Sequence, residues 1–160
     1  MRGAERPSFE EWARARKQGL VRSAYLLTGD FQRAEDLVQE ALVRAAMRWD
    51  RLREGNPDAW VRTVVYREHV SWWRRRRREV LVEVVPETAA YDGSSADGGL
   101  VAALAGLTWS QRAVVLLRFA EDLSVAETAA VLGVTDGTVK RQTSVALAHL
   151  RALDLDLEEA

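Results

Sequence analysis

The stretch SVAETAAVLGVTDGTVKRQTSVALAHL, residues 124–150, leaves its part of the chain little freedom. Ser124 and Glu127 stand three apart ahead of an apolar run, the reciprocal capping pattern that opens a helix. Gly133 halts that helix, and Thr135 can cap a second one from Asp136 to about Leu153. Counting Val125 as position one, Ala129 falls fifth, where anything larger than methyl would jam two crossing helices. Gly133 falls ninth, where a tight turn needs positive φ. Leu132, Val134 and Val139 supply the apolar contacts of a near-perpendicular crossing. The spacing predicts a DNA-binding helix-turn-helix. An ordinary αα-hairpin is the alternative, but the small residue, the glycine and the apolar pattern would then have to coincide. The second helix turns Val139, Thr143, Ala146, Leu147 and Leu150 inward and presents Thr138, Lys140, Arg141 and Ser144. Its N-terminus would enter a major groove, where basic groups reach guanine edges and hydroxyls contact bases or phosphates.

A second stretch, NPDAWVRTVVYREHVSWWRRRRR, spans residues 56–78. Asn56 can cap a helix, Pro57 is tolerated at its first position, and no breaker follows. At helical spacing Trp60, Val61, Val64, Val65 and Trp72 make one apolar face, while Arg62, Tyr66, His69 and Trp73 recur along another. Basic groups interleaved with aromatics suit a surface that touches phosphates and stacks on bases. A surface helix with a solvated basic end would read the same from this stretch alone.

Upstream, Ser8 and Glu11 form another capping box, predicting a helix that buries Phe9, Trp12, Leu20, Ala24 and Leu27 before Thr28-Gly29-Asp30 stops it. The next helix, roughly Phe31 to Trp49, buries Ala34, Leu37, Val38, Ala41, Leu42, Ala45 and Trp49. Its other side carries Asp36, Glu40, Val43 and Met47 in helical register with Gln39 alongside, an acidic patch continued by exposed apolar groups. That mixture points to a partner-binding face, although single apolar residues on a surface are ordinary. Three helices joined by short loops predict a first domain over residues 8–78. Residues 79–99, apolar at first and then rich in Gly, Ser, Ala and Asp, read as a flexible acidic linker; VLVEVV within it has some strand propensity, but a lone strand would have nothing to pair with. A second helical domain covers residues 100–153, with Thr108 and Gln111 as a further capping box. The expected fold is all-α, in two small helical domains.

Charge supports that division. Residues 1–79 hold 18 basic against 12 acidic residues, and residues 80–160 hold 5 against 12. The first domain therefore suits a polyanion. The chain has no cysteine, which excludes disulfides and thiolate metal sites and fits a cytoplasmic protein. No apolar run is long enough to span a bilayer, so no membrane partner is expected. His69 and His149 lie in different domains, and no Glu-x-x-His pair or Gly-rich phosphate loop occurs, so neither catalysis, a metal nor a cofactor is expected. A stand-alone regulator that binds duplex DNA, with the first domain used for dimerisation or sensing, is the rival reading; a purely protein-bridging adaptor fits less well.

Three blocks together, LTGDFQRAEDLVQEALVRAAMRWD, the basic aromatic stretch, and LTWSQRAVVLLRFAEDLSVAETAAVLGVTDGTVKRQTSVALAHLR, resemble the extracytoplasmic-function (ECF) sigma factors of bacterial RNA polymerase. The resemblance spans nearly the whole chain and looks closest to the actinobacterial branch with a tryptophan-rich region 2. It implies that Asp36, Gln39, Glu40, Val43 and Met47 dock on the clamp of the largest polymerase subunit. It implies that the loop around Leu52, Arg53 and Asn56 holds a flipped base of the −10 element. Trp60, Arg62, Tyr66, Arg67, His69, Trp73, Arg74, Arg76 and Arg77 would read or hold the melted strand. Thr135, Thr138, Lys140, Arg141 and Ser144 would read the −35 element while that module leans on the flap of the second-largest subunit. An anti-sigma factor is a further implied partner. Two residues depart from the pattern: Arg67 stands where many members carry Asn, and Val145 replaces a basic residue. Modest DNA affinity is therefore expected of the isolated chain, with polymerase supplying binding by tethering.

Overall fold

The structure, a computed structural model, describes residues 6–79 and 98–159, with side chains for residues 6–76 and 99–153. The acidic linker and its VLVEVV segment lie outside the described residues, as does the Arg77 side chain. Every regular element among the described residues is helical.

Helix α1, Phe9–Thr28, starts where expected: the Glu11 amide donates to Ser8 Oγ at 3.2 Å. It ends at Gly29, whose φ of 69° only glycine adopts without strain. Asp30 then caps α2, Phe31–Met47, accepting from the Arg33 amide. The pair packs with Trp12, Ala24 and Leu27 against Ala34, Val38, Leu42 and their neighbours. Phe9 and Leu20 are half-buried at its edge.

The expected single helix to Trp49 is broken. Arg48 has φ −121°, and Trp49–Leu52 forms a separate one-turn helix, α3. The reason is packing. The break swings the Trp49 ring to 5.2 Å from Trp12 and 5.7 Å from Phe9, edge-on to the latter, a cluster worth about 0.5–1.5 kcal/mol per ring pair beyond area burial. Helix α4, Pro57–Glu79, opens with the Ala59 amide donating to Asn56 Oδ1 at 3.1 Å. Asp58 in its first turn accepts from Trp12 Nε1 at 3.1 Å and so ties the start of α4 to α1.

The second module opens with α5, Gly98–Ala105, and α6, Trp109–Val115, the latter under a complete Thr108–Gln111 capping box. Helix α6 then widens into a π-helical segment, Leu116–Ala120, closed by the Glu121 amide bonding to the Leu116 carbonyl. Asp122 then takes φ 55°. Arg118 stabilises this irregular exit, donating to the Leu123 carbonyl at 2.7 Å. Helix α7, Val125–Leu132, carries both arms of the Ser124–Glu127 capping box and ends at Gly133 with φ 68°. Helix α8, Asp136–Glu159, follows and extends past the expected end near Leu153. Ala129, Leu132, Val139 and Ala146 are buried where α7 crosses α8, as the helix-turn-helix spacing requires.

The two modules share one core. Leu27 of α1 and Leu104, Leu107 and Val114 of the second module belong to a single buried cluster. Helices α1 and α6, and α4 and α7, are in contact. Arg112, only 3% exposed, donates to the carbonyls of Leu27 (3.2 Å), Leu104 (3.1 Å) and Leu107 (3.4 Å), so one buried guanidinium spans both modules.

An alanine methyl at Gly133 would meet no atom within 4 Å, so any penalty there is backbone strain alone. Gly133→Ala is expected to lower unfolding free energy by about 1–2 kcal/mol in urea titrations, the cost of a left-handed L-residue.

Candidate nucleic-acid interface

Helix α4 presents its basic end as Arg74, Arg75 and Arg76, all exposed. Just before it, Trp72 and Trp73 sit half-exposed and edge-on, 5.1 Å apart. Trp72 is flanked by the guanidinium of Arg33 at 4.5 Å and of Arg76 at 5.0 Å, cation–π contacts that hold the indole in place. The result is an aromatic step beside a row of cations. Such a surface can stack a base and neutralise its phosphate.

His69 is not part of that exposed surface. It is 3% exposed, stacked at 14° on Trp72, and its Nε2 accepts a 2.9 Å hydrogen bond from Trp73 Nε1. Burial, then the positive charges of Arg33 and Arg112, push its pKa down to about 3. It is therefore a neutral acceptor that orients Trp73, and its buried Nδ1 has no hydrogen-bond partner. Tyr66 is also buried, and desolvation, followed by the Glu121 charge, raises its phenol pKa. Both residues were expected on the strand-facing side. The helical register is as expected, but apolar and aromatic neighbours enclose that face more widely than two-sided amphipathicity suggests.

Arg62 and Arg67, from the same face, are engaged by the second module. Arg62 Nη1 lies 3.4 Å from Glu121 Oε2, and Arg67 donates to the carbonyls of Val131 (3.3 Å) and Ala130 (3.2 Å). Trp60 is half-buried, with Arg48 5.7 Å from its ring centroid. Between the end of α3 and the start of α4, Leu52 and Arg53 are half-buried and Asn56 is exposed but occupied as a cap. Arg53 donates to the Arg6 carbonyl at 3.2 Å, and Arg6 answers with a bond to the Arg53 carbonyl at 3.1 Å and an ion pair to Glu54. The N-terminal segment thus fastens this loop, a contact nothing in the local sequence signals.

In the helix-turn-helix, Thr135 Oγ1 accepts from the Thr138 amide at 3.2 Å and lies 3.0 Å from Thr138 Oγ1. Thr135, Lys140, Arg141 and Ser144 are exposed and Thr138 is half-buried, so the start of α8 displays the side chains assigned to a groove. On α2, Asp36, Gln39, Glu40, Val43 and Met47 are all exposed along one face, Val43 at 55% and Met47 at 82%. Arg44 bridges Glu40 (2.8 Å) to Glu68 of α4 (3.1 Å), linking that face to the basic helix. Phe119, 54% exposed within the π-helical segment, was not among the expected surface residues.

A basic aromatic helix, a helix-turn-helix and a separate acidic-apolar face define a DNA-binding protein equipped for a protein partner. Comparison with known proteins makes this specific. Residues 6–79 match Sigma-70 region 2, and residues 98–150 match Sigma-70, region 4. The chain is 43% identical over 148 residues to the RNA polymerase sigma-E factor of Streptomyces avermitilis, covering 89% of this chain and 83% of that one. It is 32% identical over 149 residues to the ECF RNA polymerase sigma factor SigE of Mycolicibacterium smegmatis, covering 86% of this chain and 58% of that one. Its fold is similar to that of the sigma factor RpoE, solved with the anti-sigma factor NepR from Bartonella quintana. There the TM-score is 0.68 and the identity 31%, over 91% of this chain and 95% of that one. The chain belongs to the ECF sigma factors, the promoter-recognising factors of transcription initiation.

The His69 environment makes stability pH-dependent. Its folded pKa lies below the unfolded value near 6.5, so on acidification only the unfolded chain takes up the proton. Stability should therefore fall as pH drops below about 6.5 and keep falling toward 3. Between pH 7 and 5, His69→Gln should lose about 1–2 kcal/mol less than the wild type in urea titrations.

Proposed function

We propose that the chain divides its work as region 2 over residues 8–78, a linker over 79–99, and region 4 over 100–153. Asp36, Gln39, Glu40, Val43 and Met47 dock on the polymerase clamp. Leu52, Arg53 and Asn56 border the place of a flipped −10 base. Trp73 stacks on the melted strand beside it, with Arg67, Arg74, Arg76 and Arg77 on its phosphates. Thr135, Thr138, Lys140, Arg141 and Ser144 read the −35 element. The factor acts without covalent chemistry, in the cytoplasm; among the described residues no helix is long and apolar enough to cross a membrane.

The observation that carries this reading is the α2 face. Its acidic residues continue into Val43 and Met47, exposed where folding gains nothing from them, beside a helix that ends in arginines. Melting is favoured when a base leaves the duplex stack for protein, at about 1–3 kcal/mol per stacked base. Phosphate contacts by the arginine tract make binding steeply salt-dependent.

Run-off transcription with core polymerase on a matched promoter tests both layers. The wild type should stimulate specific initiation, and absence of stimulation would sink the function. Asp36→Arg should abolish stimulation and core binding while leaving the circular-dichroism spectrum unchanged; wild-type affinity for core in that variant would remove α2 as the docking face.

A further inference from the structure

The short stretch between α3 and α4 is held by the start of the chain, 47 residues away. Arg6 Nη1 donates to the Arg53 carbonyl at 3.1 Å and pairs with the Glu54 carboxylate, while Arg53 Nη2 donates to the Arg6 carbonyl at 3.2 Å. Just beyond Arg6, Ser8 caps α1, and the rings of Phe9 and Trp12 close on Trp49 of α3. Trp12 Nε1 also reaches Asp58 in the first turn of α4. The start of α1 thus grips both flanks of the stretch, α3 through Trp49 and α4 through Asp58. Arg6 adds a grip between them, at Arg53 and Glu54.

That third grip contributes little to the fold. The Arg6 and Glu54 side chains are 49% and 68% exposed, and ion pairs so open to water add little stability. Its effect is local. Glu54 puts a carboxylate beside Asn56, where an approaching phosphate would be repelled unless a cation neutralised it. The bond to the Arg53 carbonyl fixes the backbone at the residue that follows α3. We infer that Arg6 is a positioning residue for −10 recognition: it holds the backbone at Arg53 and neutralises Glu54, so that residues 52–56 receive the flipped base in one geometry. The inference rests on the reading of Leu52, Arg53 and Asn56 as the border of that base. Arg6 itself touches no base. The carbonyl that accepts from Arg53 belongs to the backbone and survives substitution at position 6, so the guanidinium alone is tested by changing the side chain.

The test uses the full chain with core polymerase on the matched promoter of the run-off assay. 2-Aminopurine placed in turn at each non-template position of the −10 element marks the unstacked base by a rise in fluorescence as the complex opens. Run-off rates with each of the four base pairs at that position give a discrimination ratio, and the same series at a −35 position gives a second one. Arg6→Ala should lower the −10 ratio about twofold to fivefold, the worth of one exposed charged contact. The −35 ratio and the thermal midpoint should not move. Arg14→Ala, which removes another exposed cation of α1, should leave both ratios unchanged. Arg6→Lys, which keeps the charge, should restore most of the −10 ratio. An unchanged −10 ratio in Arg6→Ala, an equal loss in Arg14→Ala, or an equal fall in the −35 ratio overturns the positioning role. Should circular dichroism show that Arg6→Ala is unfolded, Arg6→Gln takes its place with the same expected and contrary results. Arg53→Ala separates the two layers. A fall in its −10 ratio with Arg6→Ala unchanged overturns only the role of Arg6. No fluorescence rise at any position, or no fall in either variant, overturns the reading of residues 52–56 as the border of the base.

Discussion

The arrangement of the two modules turns on a buried cation. A guanidinium removed from water costs several kcal/mol unless its donors are met, and Arg112 is met by carbonyls at the ends of two helices and in the loop after α5. Leu27 lies at the C-terminal end of α1 and Leu104 at that of α5, where unsatisfied carbonyls and the helix dipole both favour a positive charge. The bond to Leu27 fixes where the second module sits on α1. With α6 placed there, α7 lies along α4, and the accessible side of α4 is decided.

Charge then has two uses in this chain. The basic first module and acidic second one read as separate preferences for outside partners, and the structure shows the same asymmetry turned inward. Arg62 and Arg67 face Glu121 and the carbonyl end of α7, while Arg74 and Arg76 remain exposed. The helix is divided along its length: an early part shared with the second module, and a late part of tryptophans and arginines open to solvent. His69 belongs to neither as a reader. It serves as the buried acceptor that orients Trp73.

Local chemistry was legible in the sequence, because its signals are short-range. Ser8, Asp30, Asn56, Thr108 and Ser124 cap where their spacing places them, and Gly29 and Gly133 take the left-handed turns that end their helices. The helix-turn-helix and the exposed face of α2 were equally readable from helical periodicity. What escaped was set by distant contacts. The break at Arg48 serves a ring cluster formed with Phe9 and Trp12, far back in the chain. The π-helical segment has no sequence signature; its effect appears only when Glu121 meets Arg62. Arg112 carries no short-range signal in the sequence, yet it joins carbonyls up to 85 residues away. Tyr66 and His69 kept their predicted register, but periodicity does not tell how far a core extends around a helix. Arg67 escaped for the same reason: its long side chain reaches the end of α7.

The central claim is that the free chain is one packed body built across Arg112. Small-angle X-ray scattering of the isolated full-length protein tests it most directly. A single compact body of this length predicts a radius of gyration of about 15–17 Å and a pair-distance distribution with one maximum. A radius well above about 20 Å, with a second maximum from separated modules, would contradict it.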